Sequence, residues 1–266
     1  MKKIPLVAHR GFSHIYPENT LESLRAALEC GAAAVEFDVQ LSADHIAVVC
    51  HDDSLERTAG VELSVLDNRY ADLRLVSVGE PRRFADQFIT SHLPTLTEVV
   101  ALLQAFPESI AFVEIKIESI ERYGRELFNK VVLESIAPIL SRCVLISDDL
   151  QALIEARERV SIPIGWIVHQ WSEHDRQQAS RAGPEYLVVN HKYFPAEENP
   201  LWPGDWQWVV YETSTPAKAV ELYKMGIQWV ETNDICPMLK GLQRKQAGVS
   251  LHKAVTTGDL SGDGKI

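Results

Sequence analysis

The 266-residue chain reads as an α/β protein, and its strand count favours a (β/α)8 TIM barrel over an open parallel sheet. Three observations carry that expectation. Short apolar runs alternate with amphipathic, helix-period segments along most of the chain. These runs number eight or nine. Acids, histidines and basic residues recur where the runs end, the place where parallel barrels gather reactive groups.

Residues 4–8 are the first apolar run and read as a buried strand ending in His9-Arg10-Gly11. A loop with Pro17 leads to Asn19-Thr20, either of which can cap the next helix. Leu21, Leu24, Ala27 and Leu28 form its apolar stripe, and Gly31 closes it. Residues 34–41 are the next strand, completing a βαβ unit and so implying parallel strands. Residues 46–50 are a further apolar run, ending at His51-Asp52. The stretch 53–94 then breaks the rhythm. It is too long for an ordinary connection, and inserts of this kind are often binding loops or lids. Its middle, 80–83, is charged, and Leu93-Pro94-Thr95-Leu96 restarts a helix. Strands are expected at 110–117, 143–147, 162–168, 186–190, 206–211 and 227–232. Helices are expected at 121–137, up to 159, at 173–181 and at 216–225, the last with proline in its first turn. A single domain over 1–240 follows, with 241–266 as a polar, flexible tail. The segment 259–266 (DLSGDGKI) has the alternating oxygens and glycine of half a calcium loop, but not the glutamate such a loop requires.

Composition limits the function classes. Hydrophobic content of 46% and charged content of 24% suit a soluble globular chain. The net charge of −11 argues against nucleic acid as a partner. An anionic substrate would need local positive charge or a metal to overcome that field. Cys30, Cys50, Cys143 and Cys236 are far apart and form no CxxC pair, so reduced, buried thiols of a cytoplasmic protein are expected. The apolar run after Met1-Lys2-Lys3 is too short for a signal sequence, and no run is long enough for a membrane span.

The chemistry centres on residues 35–52. Glu36 and Asp38 lie at i and i+2, so a strand points both to one face, about 7 Å apart along the chain. Val35, Phe37, Val39 and Leu41 point the other way. Two acids on a buried strand cost several kcal/mol each in desolvation unless positive charge sits between them. A hard divalent cation meets that need; an exposed edge strand would remove it. Glu114 and Lys116 repeat the i, i+2 pattern on a later strand. With His9, Arg10 and His51 at other strand ends, the parts suit metal-assisted phosphoryl chemistry. Carboxylates would bind Mg²⁺ or Ca²⁺ (Mn²⁺ is also of suitable hardness), histidines would move protons, and Arg10 and Lys116 would meet phosphate oxygens. Taken singly, each has a plainer role: Arg10 in a surface ion pair, Glu114 and Lys116 neutralising each other.

His9-Arg10-Gly11, Pro17-Glu18-Asn19-Thr20, Glu36-x-Asp38-Val39, His51-Asp52, Arg57-Thr58, Leu93-Pro94-Thr95-Leu96 and Glu114-Ile115-Lys116 form an ordered set. In order and spacing it resembles the glycerophosphodiester phosphodiesterase family, strongly over 5–117 and more weakly to about 240. The resemblance implies a TIM barrel with a small insertion after the strand ending at His51. It also implies hydrolysis of a small-molecule glycerophosphodiester to glycerol 3-phosphate and an alcohol, with a divalent cation. By motif match, Glu36, Asp38 and Glu114 become metal ligands, His9 and His51 the acid–base pair, Arg10 a phosphate ligand and Lys116 an electrostatic partner of the phosphate or the leaving oxygen. Glu18 becomes a supporting group beside the site. Which histidine is acid, and whether water or a glycerol hydroxyl attacks first, stay open, as do the alcohol and the oligomeric state.

The C-terminal half departs from the family pattern. Trp208-Val209-Val210-Tyr211-Glu212 stands where Trp-Thr-Val-Asn is usual, and Thr232-Asn233 where Thr-Asp is usual. Asp44-His45 replaces Asp-Gly at a turn. Trp171, His191, Lys192 and Tyr193 are candidates for the pocket wall. A lysophospholipase D-like reading would need an apolar rim, for which Leu73, Leu75, Val76, Phe84, Phe88 and Ile89 are the available residues. A non-catalytic binding barrel would be expected to have lost an acid or a histidine, and none is missing.

Overall fold

The computed structural model describes residues 4–193 and 201–256, with side chains described as far as 245. The chain begins with β1 (Leu6–Ala8), α1 (Leu21–Glu29), β2 (Ala34–Leu41) and β3 (Ala47–Val49). Three single-turn helices follow, α2 (Glu56–Ala59), α3 (Tyr70–Leu73) and α4 (Pro81–Phe84). Then come α5 (Leu96–Gln104), β4 (Ile110–Ile115), α6 (Ile117–Tyr123), α7 (Arg125–Ile136), β5 (Cys143–Ser147) and α8 (Leu150–Arg159). The last part holds β6 (Ile164–Val168), α9 (Glu173–Ala182), β7 (Tyr186–Asn190), β8 (Gln207–Tyr211), α10 (Pro216–Lys224), β9 (Trp229–Thr232) and α11 (Ile235–Thr256).

The sheet runs β1-β9-β8-β7-β6-β5-β4-β2, and β1 pairs with β2, so it closes into a parallel barrel. β3 is not a stave. It pairs antiparallel with β2, Val39 opposite Val49, and turns the chain out of the barrel before the insertion. That resolves the count of eight or nine: the run at 46–50 is apolar because Val48 and Cys50 pack in the insertion's own core while Ala47 and Val49 pack in the core outside the barrel.

Alternation along each stave separates two cores. Val7, Phe112, Val144, Val188, Val209 and Trp229 fill the barrel interior. Leu6, Val35, Phe37, Val113, Leu145 and Val230 face outward and pack under the helices. Glu36, Asp38 and Glu114 thus continue the inward rows of β2 and β4 toward their carboxyl ends. Helix starts follow local chemistry. Thr20 caps α1 by accepting from the Ser23 N–H, and Thr95 caps α5 in a reciprocal box with Glu98. The expected helix at 121–137 is two helices, because Gly124 sits at φ 81° and breaks it between α6 and α7. The turn residue His45 takes φ 59°, the left-handed region that explains why a glycine is usual there.

The insertion makes a small core of Val48, Cys50, Leu55, Val65, Leu73, Val78 and Leu93. Leu73 and Val76 belong to that core rather than to a lipid-facing rim. Helix α11 continues through Gly241 to Thr256, past the expected domain end at 240. The calcium-loop-like segment 259–266 lies outside the described residues. Among the described residues no helix is long and apolar enough to cross a membrane.

The cysteine expectation is corrected. Cys30, exposed at the end of α1, is disulfide-bonded to Cys236 in the first turn of α11, with Cα atoms 5.6 Å apart. A separation of 206 residues hides the pair in sequence; barrel closure, which sets β1 beside both β9 and β2, brings the flanking helices together. Cys50 and Cys143 are free and buried. The pairing removes the premise of reduced thiols on which a cytoplasmic setting was expected, since such bonds persist mainly in oxidising compartments. Thiol titration of the denatured, unreduced protein should find two of the four cysteines reactive. Cys30→Ser should lower stability by about 2–5 kcal/mol in a denaturant series, whereas four reactive thiols would show the bond is not formed.

Candidate active site

The carboxyl ends of the staves open into a cavity of about 490 Å³ lined by His9, Arg10, Glu36, His51, Glu114 and Lys116. Residues from β5 to β9 complete the wall, among them Asp148, His169, Asn190, Tyr211 and Glu231.

Glu36, Asp38 and Glu114 present carboxylate oxygens that all lie within 4.8 Å of one another. Burial, followed by the charge of Asp38, pushes Glu36 well above the usual carboxyl range. Glu114 is raised by the same two causes in the same order. For Asp38 burial also acts upward, but Arg10, Lys116 and His51 outweigh it and hold the carboxyl below its ordinary range. Arg10 Nε stands 3.1 Å from Asp38 Oδ2, and Lys116 Nζ stands 3.6 Å from Asp38 Oδ1 and donates to Glu114 Oε1 at 2.6 Å. Asn19, at φ 58°, donates to Asp38 Oδ2 at 2.8 Å. These contacts leave Glu36 Oε1 and Asp38 Oδ1 buried without a hydrogen-bond partner. Two orphaned carboxylate oxygens within a cluster of three acids are the donor set of a hard divalent cation, and the residues fit one.

His9 Nδ1 bonds Asn233 Oδ1 at 2.7 Å, and Nε2 lies 3.5 Å from Glu231 and 4.0 Å from Glu36. Burial first, then the Arg10 charge, lowers His9 to about 4, so its imidazole is uncharged at neutral pH. On the other side of the site, His51 Nδ1 bonds Asp52 Oδ1 at 2.6 Å. That bond, and the Arg57 guanidinium, hold Asp52 ionised against its burial. Glu18 accepts from Arg10 and Arg57 together, at 2.8 and 2.7 Å, and carries the two guanidinium groups side by side.

His9, Arg10, Glu36, His51, Glu114 and Lys116 are thus brought to one mouth, with Asp38 and Glu18 bonded directly behind Arg10. Lys192 and Tyr193 line the cavity as expected, whereas His191 and Trp171 are not among its lining residues; Trp171 stacks on Trp202 at 4.6 Å. Glu231 was missed. It is buried, it joins His9 and Glu36 in a second cluster of metal-ligand type, and burial raises its carboxyl too. Its signal was available: Trp229 faces the barrel interior, and Glu231 lies two positions on. The same step from Val209 finds Tyr211, from Val188 Asn190, and from Ile146 Asp148.

The model of the glycerophosphoryl diester phosphodiesterase family matches residues 9–236. The chain belongs to that family. A family enzyme from Caldanaerobacter subterraneus, named glycerophosphodiester phosphodiesterase, is 38% identical over 101 residues, 38% of this chain and 41% of that protein. The bovine glycerophosphodiester phosphodiesterase 1 is 37% identical over 99 residues, 37% of this chain and 30% of that protein. The chain therefore aligns with less than half the length of these relatives. The fold extends further than the sequence likeness. A phosphodiesterase of Oleispira antarctica, solved with the product sn-glycerol-3-phosphate, superposes with a TM-score of 0.79 at 21% identity, covering 90% of this chain and 96% of that one. A glycerophosphodiester phosphodiesterase from Parabacteroides distasonis gives 0.74 at 21% identity, covering 91% and 98%.

Proposed function

We propose that this chain hydrolyses glycerophosphodiesters to glycerol 3-phosphate and an alcohol, with Glu36, Asp38 and Glu114 holding a divalent cation and His9 and His51 moving the protons. One observation carries the reading: both imidazoles and both cations, Arg10 and Lys116, line the cavity into which the carboxylate cluster opens. Product bound to a protein of the same fold supports the substrate class. Held by Glu36, Asp38 and Glu114, a divalent cation of the Mg²⁺, Ca²⁺ or Mn²⁺ type would offset phosphate charge and lower the pKa of a coordinated water.

The chain's own groups do the rest. Arg10 NH1 is held by Glu18 and Nε lies against Asp38, which orients the guanidinium toward the site for a phosphate oxygen. His9, uncharged at neutral pH, takes the proton of the attacking hydroxyl at Nε2, because Nδ1 is committed to Asn233. His51, with the Asp52 carboxylate behind its Nδ1, delivers a proton to the departing alkoxide. Lys116, fixed by Glu114, adds positive charge facing the phosphate. The attacking hydroxyl is water or the substrate's own glycerol hydroxyl; both place the same demand on His9.

The test is release of glycerol 3-phosphate from glycerophosphocholine and glycerophosphoethanolamine, with EDTA and then with Mg²⁺, Ca²⁺ or Mn²⁺ restored. Release should fall to background with EDTA and return with at least one ion. No release with any ion overturns the reading, and faster turnover of a lysophospholipid would move the substrate class to lipids.

A further inference from the structure

Arg57 does not line the cavity, yet it joins two groups that matter there. It sits in α2 of the insertion, half-exposed. Its Nε donates to Asp52 Oδ2 at 2.7 Å, while Asp52 Oδ1 meets His51 Nδ1 at 2.6 Å. Its NH1 and NH2 grip Glu18 Oε2 and Oε1 at 2.8 and 2.7 Å, and Glu18 Oε1 also accepts from Arg10 at 2.8 Å. His51, Asp52, Arg57, Glu18 and Arg10 thus form an unbroken chain of charge-assisted bonds from one side of the site to the other.

The insertion is itself anchored beside Arg57. The carbonyl of the next residue, Thr58, accepts from the Glu80 N–H at 2.8 Å. The buried Glu80 carboxylate accepts from the Glu18 N–H at 2.6 Å and from Arg83 at 2.6 Å. Arg83 in turn donates to the Ser13 carbonyl at 2.7 Å. Both ends of Glu18, backbone and carboxylate, are therefore fixed by the insertion.

We infer that Arg57 is a positioning residue: through Asp52 it sets the ring of His51, and through Glu18 it ties that ring to the Arg10 guanidinium, so the insertion aligns the proton donor with the phosphate. The inference rests on the proposed role of His51 as a proton-transfer group. A planar fork that serves two carboxylates at once is specific to arginine; a lysine offers a single point of attachment and can satisfy one of them.

The test uses Arg57→Gln and Arg57→Lys in the full chain, with two readouts. Steady-state kinetics on glycerophosphocholine with the activating ion should show kcat reduced tenfold or more for Arg57→Gln, with KM changed less than threefold and partial recovery in Arg57→Lys. Separately, the imidazole NMR signals of His51, assigned by their loss in His51→Asn, should show a hydrogen-bonded Nδ1–H that is lost or exchange-broadened in Arg57→Gln. Unchanged His51 signals in Arg57→Gln overturn the inference, as does a loss confined to KM or a unit fall in Tm with kcat intact. If the wild type releases no glycerol 3-phosphate, the proposed function fails, but the NMR comparison still decides whether Arg57 sets the ring. Should Arg57→Gln not fold, Arg57→Lys carries both readouts, and wild-type kcat and spectra in it count against the inference.

Discussion

His9→Ala and His51→Ala should each lower kcat on glycerophosphodiesters by about 10²–10⁴-fold, a barrier increase of about 3–5 kcal/mol, while leaving the protein folded. The size follows from the position of each ring. His9 presents Nε2 toward the carboxylate cluster and is kept uncharged by burial, so its loss removes the one imidazole ready to accept a proton on that side. His51 is backed by Asp52, and its loss leaves that carboxylate bound to Arg57 but with nothing to direct. The fold should survive because neither ring belongs to the hydrophobic cores; the contacts His9 gives up are those at the cavity, to Asn233, Glu231 and Tyr211. Circular dichroism and Tm check the fold, and initial rates check turnover. Near-wild-type rates in both variants would remove the acid–base assignment. A loss in only one would leave a mechanism with a single proton-transfer group.

Much of this site is legible in sequence because it lies near the N-terminus and on strand ends. His9, Glu36, Asp38, His51, Glu114 and Lys116 fall within the first 116 residues, each directly after or within an apolar run. Period-2 alternation then decides which way each points, and the barrel interior agrees with it on every stave. Glu231 escaped because a lone acid in Trp229–Thr232 has no partner at i+2, the feature that marked Glu36 and Glu114. β3 was counted among the barrel strands because an apolar run does not say whether its neighbour is parallel or antiparallel. The disulfide was illegible for a different reason. Its halves meet only when the last stave closes on the first, a property of topology and not of local pattern. Arg57 was visible as part of a motif, but its partners lie 5 and 39 residues away, and only packing shows that it joins them.

Glu36→Gln should have opposite effects on the protein with and without metal. In the metal-free state Glu36 is buried beside Asp38, Glu114 and Glu231, which make its charge costly. A neutral isostere removes that cost, and the Arg10 N–H that now donates to Oε2 can still be satisfied by the amide oxygen. The EDTA-treated variant should therefore melt above the EDTA-treated wild type. With metal the order reverses. A ligand at 100 times its Kd stabilises by about 2.7 kcal/mol, which for a chain of this size raises Tm by about 5–10 °C. Glu36→Gln should lose most of that increment, because the affinity of oxygen sites for hard cations follows the number of charged ligands. Asp38→Asn is the control with a different sign. Asp38 already pairs with Arg10 and Lys116, so its loss should lower Tm even in EDTA, leaving Arg10 with Glu18 alone and Lys116 with Glu114 alone. Melting curves in EDTA and in Mg²⁺, Ca²⁺ or Mn²⁺ read both effects. A Glu36→Gln protein that gains as much from metal as the wild type would take Glu36 out of the ligand set. A metal-free variant less stable than wild type would show instead that the carboxylate is held for structure, by partners outside the cluster.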